Sequence, residues 1–184
     1  MKILFASDIH GSVSAAEAVL ARFDQEGAER LVLLGDLLYH GPRNDLPDRY
    51  DTKAVTALLN ACHVTPLCVR GNCDAEVDQM VLNFPIMADY ALLPLQNGRS
   101  AFITHGHLYN TDCPPPHRPG DVLIHGHTHV HCAIAQGDYT YLNPSSAALP
   151  KEGQPKSYMI YEDGVFTVKA LEDASPLLVW RMED

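Results

Sequence analysis

No apolar run in the chain approaches the ~20 residues that a membrane-crossing helix requires. The four apolar residues after Lys2 fall far short of the core of a secretion signal. The expectation is a soluble cytoplasmic protein with no membrane partner. Paired cysteines are also missing. Cys62, Cys68, Cys73, Cys113 and Cys132 are odd in number and form no Cys-x-x-Cys pair, which argues against a disulfide framework and a thiolate zinc site. Positive charge is scarce too. Thirteen Lys and Arg against 23 Asp and Glu give a formal net charge of −10, which repels polyanions, so no extended nucleic-acid binding is expected. A small anionic ligand remains compatible where the charge is locally reversed.

What is present is ordinary globular material: 184 residues, 46% hydrophobic and 20% charged, enough for one domain spanning 1–184. The N-terminal half alternates short apolar runs with helical periodicity, the mark of strand–helix–strand units. "KILFA", "RLVLL" and "TPLCV" read as buried strands, and "SVSAAEAVLARFDQE" as a helix with Ser14 and Glu17 in capping-box spacing. "DTKAVTALLNAC" reads as a helix capped by Asp51, and "DAEVDQMVLNF" as one more. In the C-terminal half, Asn97-Gly98, Gly137-Asp138 and Asp163-Gly164 mark hairpins, and "PLLVW" a final strand. The sum is an α/β domain, most economically two packed sheets with helices outside. Two proline-rich polar stretches, 38–50 and 109–120, read as long loops of the kind that often line a site.

The chemistry lies at the ends of the apolar runs. "ILFAS" ends in Asp8-Ile9-His10-Gly11, "LVLL" in Gly35-Asp36, "LCVR" in Gly71-Asn72-Cys73-Asp74, "AFIT" in His105-Gly106-His107, and "VLI" in His125-Gly126-His127-Thr128-His129. In α/β sheets the carboxyl ends of strands converge on a crevice, so these five clusters describe one pocket. Asp8, His10, Asp36, Asn72, His105, His127 and His129 offer carboxylate, amide and imidazole donors for divalent ions. Seven donors exceed one tetrahedral ion. A two-ion site needs a bridging carboxylate, and Asp36 is the natural bridge.

The ordered set "DIHG", "GD", "GNCD", "HGH" and "GHTH" resembles the calcineurin-like metallophosphoesterase superfamily over roughly residues 1–146. "GDLLYHGPRN" and "VRGNCDAEVDQM" resemble its YfcE-type bacterial phosphodiesterases. The resemblance implies a four-layer αββα sandwich, two mixed sheets flanked by helices, with a dinuclear centre between the sheets. It assigns Asp8, His10, Asp36 and His129 to one ion, and Asp36, Asn72, His105 and His127 to the other. The activity it implies is phosphodiester hydrolysis, with in-line attack on phosphorus by a metal-bound hydroxide. Asp36, Asn72, Cys73 and His107 carry the catalytic expectation. Cys73 stands where many members have a histidine that protonates the leaving oxygen, and His107 would orient a neighbour or touch substrate. "NPSS" resembles an Asn-Pro-Gly-Ser segment of the YfcE-type proteins, with Ser145 in place of the glycine.

His40, Arg43, Asn44 and Arg70 lie close behind the Asp36 and Asn72 clusters, where a rim could contact a small phosphodiester; a solvated loop explains them nearly as well. The two divalent ions are expected to be Mn, given the share of hard oxygen ligands, with Zn, Fe, Co or Ni as alternatives. A metallophosphoesterase-fold binding scaffold with little catalysis, or a phosphomonoesterase, are the competing readings. A homo-oligomer is compatible with the sequence.

Overall fold

The computed structural model describes residues 1–182. Its first strand, β1 (Lys2–Ala6), shows why the N-terminal runs are continuously apolar. Leu4 and Ala6 face a helix-lined core, while Ile3 and Phe5 face a second core between two sheets. The next strand, β2 (Arg30–Leu33), splits the same way: Leu31 and Leu33 turn outward to the helices, Val32 to the sheet interface. A strand buried on both faces cannot alternate apolar with polar.

Helix α1 (Val13–Glu26) follows β1, and α2 (Thr52–Asn60) lies between β2 and the short β3 (Leu67–Cys68). Val19 and Phe23 of α1 and Val55 and Leu59 of α2 supply the helix side of the outer core. Asp51 caps α2 as expected, accepting from the Ala54 N–H at 3.0 Å. The capping-box expectation for α1 is corrected. Ser12 is the N-cap, accepting from the Ala15 N–H at 3.2 Å, while Ser14 donates to Asp48 and Glu17 pairs with Arg49. The competing partners lie in the 38–50 loop, so local spacing could not choose between the serines.

The helix expected over 74–84 is also corrected, to the single turn α3 (Glu76–Gln79). From Leu82 onward every second residue is pulled inward: Leu82, Phe84 and Ile86 are all buried, a two-residue period that a helix cannot satisfy.

Strands β4 (Tyr90–Pro94), β5 (Ser100–Thr104), β6 (Val122–Ile124), β7 (Cys132–Gln136) and β8 (Tyr139–Asn143) form a five-stranded sheet ordered β4-β5-β6-β8-β7. The remaining strands, β9 (Ser157–Glu162), β10 (Val165–Ala170) and β11 (Pro176–Arg181), return antiparallel to β1 and complete a six-stranded sheet ordered β11-β10-β9-β1-β2-β3. All three turn signals sit in hairpins. Asp163 and Gly164 both have positive φ, 46° and 79°, as the tight turn between β9 and β10 needs.

The two sheets are mixed and packed face to face through Ile3, Phe5, Val32, Ile103, Ile124 and Leu142. Helices α1 and α2 cover the six-stranded sheet. On the outer face of the five-stranded sheet, Phe102, Leu123, Tyr139 and Tyr141 form a smaller cluster that Tyr109 packs against. No helix among the described residues is long and apolar enough to cross a membrane.

Candidate metal centre

Five strand ends converge where the carboxyl edges of β1, β2, β3, β5 and β6 meet. Asp8, His10, Asp36, His127 and His129 all adopt left-handed backbone, with φ between 49° and 64°. That region costs a side-chain-bearing residue on the order of 1 kcal/mol and persists only where its surroundings impose it. Here they do, because the Asp8, His10 and Gly11 N–H groups donate to the carbonyls of Gly35, Asp36 and Leu37, lacing the β1 end to the β2 end.

Two glycines supply room. A Cβ on Gly71 would overlap the Asp36 carboxylate, and one on Gly126 would overlap Ser7 and Asp8. Gly126 therefore serves by close approach, while the left-handed turns after β6 fall on His127 and His129.

The imidazole orientations follow from their hydrogen bonds. His10 Nδ1 lies 2.8 Å from the Tyr39 carbonyl, His129 Nδ1 2.6 Å from that of Leu149, and His105 Nδ1 2.7 Å from that of Leu34. A carbonyl only accepts, so each Nδ1 carries the proton and each Nε2 of the neutral ring presents a bare lone pair. These lone pairs point at further nitrogen and oxygen atoms of the cluster. The His10 and His129 Nε2 atoms are 3.3 Å apart, with Asp8 Oδ1 at 3.5 and 3.1 Å. His105 Nε2 is 3.1 Å from both Asn72 Oδ1 and His127 Nδ1. Where both atoms are acceptors, as for His10 Nε2 with His129 Nε2 and His105 Nε2 with Asn72 Oδ1, they repel one another unless a proton or a metal cation lies between them. The donor set fits divalent metal ions, and the carbonyls of Tyr39, Leu149 and Leu34 fix the three rings as metal-binding histidines require.

Asp36 links the two groups. Its Oδ2 lies 3.7 Å from His10 Nε2 and 3.5 Å from His105 Nε2, while its Oδ1 accepts from the Cys73 N–H at 2.8 Å. In the ion-free chain a proton on Nε2 can stand where a metal cation would: burial raises the Asp8 carboxyl, but hydrogen bonds from His10 and His129 so protonated outweigh it and hold it well below its ordinary value. His10 is lowered by burial and raised more by Asp8, for a net rise.

The cavity in front of these residues has a volume of about 410 Å³, and Arg43, Asn44, Cys73 and Lys151 also line it. Burial, then the neighbouring Asp36, push the Cys73 thiol up to about 12. The His107 ring lies 5.5 Å from that of His105; burial, then His105, push it down to about 4.

Two residues of the expected rim are placed elsewhere. Arg70 pairs with Asp89 at 3.0 Å, and the His40 ring lies edge-on between Tyr39 and Tyr50, with centroids 4.8 and 5.2 Å away. Neither lines the cavity.

Sequence reasoning missed two others. Asp74 accepts from the N–H groups of Asp36, Leu37 and Gly71 at 2.8, 2.9 and 2.7 Å, so one buried carboxylate fixes the β2 and β3 ends together. Its place at the end of "GNCD" was the available signal. Lys151 reaches the cavity because its N–H donates to the His129 carbonyl at 2.9 Å, a contact that no local pattern announces. Ser145 adopts φ of 70° and donates from Oγ to that same carbonyl at 2.8 Å, an anchor that a glycine would lack.

Two mixed sheets flanked by helices, with a buried Asp–His–Asn cluster at their strand ends, are the features of a calcineurin-like phosphoesterase. Residues 1–163 match the family model of the calcineurin-like phosphoesterase superfamily domain, and the chain belongs to that superfamily. Within it, the chain is 48% identical over 175 residues to phosphodiesterase YfcE of Escherichia coli strain K12, covering 95% of each. The solved structure of E. coli YfcE, described as a phosphoesterase, superposes with a TM-score of 0.96 at 45% identity and covers both chains completely. A more distant relative, the probable metallophosphoesterase YsnB of Bacillus subtilis strain 168, is 26% identical over 183 residues, 95% of this chain and 92% of that one.

Proposed function

We propose that this chain is a metal-dependent phosphodiesterase that holds two divalent ions on either side of Asp36. Asp8, His10, Asp36 and His129 would hold one ion, and Asp36, Asn72, His105 and His127 the other. The observation that carries this reading is the convergence of lone pairs: three Nε2 atoms whose protons are committed to Nδ1 face carboxylate, amide and imidazole acceptors. When bound, such ions supply Lewis acidity toward phosphoryl oxygens and make hydroxide available near neutral pH.

The chain's own residues do the rest. Two carboxylates, Asp8 and Asp36, against two divalent ions leave a local surplus of about two positive charges, which draws an anionic ester to an otherwise acidic protein. Arg43 and Lys151 extend that field along the cavity wall. Cys73, its N–H on Asp36, stands at the edge where a leaving group departs. A thiol is a poorer proton donor than an imidazolium, so esters with good leaving groups are favoured. His107 braces His105 from behind. Three hard oxygen donors, Asp8, Asp36 and Asn72, among four imidazoles suit Mn, with Zn, Fe, Co or Ni as alternatives. All five cysteines are unpaired, which supports a reducing, cytoplasmic setting.

The test combines metal analysis of the purified chain with a panel of aryl phosphodiesters, alkyl phosphodiesters and aryl monoesters. The expected result is two equivalents of metal and fastest turnover of the aryl diesters. Metal uptake without hydrolysis of any ester would replace this reading with that of a binding scaffold.

A further inference from the structure

Behind Cys73 lies a second cavity, of about 510 Å³, that the metal centre does not use. Cys73 lines both cavities, so they share one wall. The second is walled by Leu38, Tyr39, Tyr50, Val77 and Val81. Three of these are large apolar side chains left open to solvent: Tyr39 is 42% exposed, Val77 62% and Val81 50%. Apolar residues gathered in a groove rather than scattered over a surface mark a place where something binds.

The groove is joined to the metal centre by more than proximity. The Tyr39 carbonyl accepts from His10 Nδ1, and the Tyr50 ring lies against Gly11, the residue after His10. The His40 ring, wedged edge-on between these tyrosines, sets their spacing. Both aromatic walls are thereby held to the element that carries a proposed metal ligand. The lining also carries one charge of each sign, Lys53 and Asp78, so the groove adds no net charge and its selectivity rests on its apolar walls.

We infer that this groove takes the leaving arm of the substrate, and that the arm is an apolar, flat group of aryl size. The inference rests on the phosphodiesterase reading above and names the substrate class for it. With phosphorus seated against Asp36, an arm leaving past Cys73 enters the groove, where Tyr39, Tyr50, Val77 and Val81 remove its apolar face from water. Aryl preference then has a source besides leaving-group acidity: affinity that grows with apolar area.

The experiment separates the two. The full-length, metal-loaded protein is assayed on methyl aryl phosphates whose phenols have matched acidity but increasing ring area, from phenyl to bicyclic. In parallel, binding of methyl arylmethylphosphonates of the same sizes, in which carbon replaces the scissile oxygen, is measured by calorimetry. The wild type is expected to show KM and Kd falling about tenfold across the series, with kcat nearly flat. The exposed double substitution Val77→Asn with Val81→Asn should remove most of that fall in both KM and Kd.

A wild type with no area dependence, or a double variant that keeps it in full, overturns the groove. Size-dependent phosphonate binding, lost in the double variant, with no ester hydrolysed would sustain the groove as a ligand site and overturn the phosphodiesterase reading instead.

Discussion

Segments 38–50 and 109–120 have similar length and composition: both are rich in proline and polar residues, and each follows a strand that ends in a candidate ligand cluster. The structure puts them to different uses. Gly41 to Asn44 of the first segment reach the cavity of the candidate metal site, and the segment is pinned to the start of α1 by Ser12, Ser14 and Glu17, which engage Asp48 and Arg49. In the second segment, Tyr109 packs edge-on against Phe102 at 5.3 Å, and His117 lies over Tyr139 at 4.6 Å while bonding Asp138 at 3.0 Å. That segment shields the outer face of the five-stranded sheet where helices do not. None of its described residues lines the cavity. The difference teaches that a loop's role follows from which surface lies unsatisfied beside it, not from its composition.

Substitutions can break or sharpen this contrast. The largest effect belongs to the centre that only the first segment adjoins. Asp36→Asn should lower turnover by about a thousandfold or more while the fold persists, since the carboxylate that would be shared by both ions is lost. Circular dichroism beside kinetics and metal analysis checks it, and near-wild-type turnover would overturn the bridging role proposed for Asp36. Next is Asp74→Asn, which leaves one oxygen for three backbone donors. Activity should fall about 10- to 100-fold, as for a residue that positions ligands, with a measurable drop in metal affinity. Unchanged metal affinity would show that the β2 and β3 ends hold their places without it.

The contrast itself is tested by a matched pair. Arg43→Ala in the first segment should raise KM several-fold without changing stability, because its side chain is exposed at the cavity wall. His117→Ala in the second should leave kinetics untouched and cost less than about 1 kcal/mol of stability. The Pro115 carbonyl and then the Asp138 carboxylate raise the His117 pKa. The stability this histidine adds is therefore full below its unfolded value and lost as pH rises through the higher folded one. Denaturant titrations at pH 5.5 and 8.5 should show the wild-type advantage over the variant only at the lower pH. A kinetic defect from His117→Ala would place the second segment at the site after all.

Smallest is Ser145→Gly. Relief of a left-handed backbone gains on the order of 1 kcal/mol, and loss of the Oγ bond to His129 forfeits about as much. The melting temperature should barely move, and a large shift in either direction would show one effect dominating.

Much of the candidate site was legible because its donors sit directly behind apolar runs, and a run's end is a local feature. Asp8, Asp36, Asn72, His105 and His127 each follow a strand whose apolar residues announce it. Arg70 and His40 looked equivalent to Arg43 by the same measure. Their actual partners, Asp89 in one case and two tyrosines in the other, are set by packing. The helix that shrank to one turn failed for the same reason: Leu82, Phe84 and Ile86 answer to a core that the segment does not contain.

The sequence by itself determined the strands, the two main helices, the three hairpins and the kinds of donor at each strand end, because periodicity and side-chain chemistry act over a few residues. Only the tertiary structure decided that Ser12 rather than Ser14 caps α1, that Lys151 joins the cavity, and that one of two similar loops faces the centre. Those outcomes depend on contacts such as Asp8 with His129, 121 positions apart. Contacts of that kind form only when distant strands pack and bury their polar ends together, and no local pattern encodes their geometry.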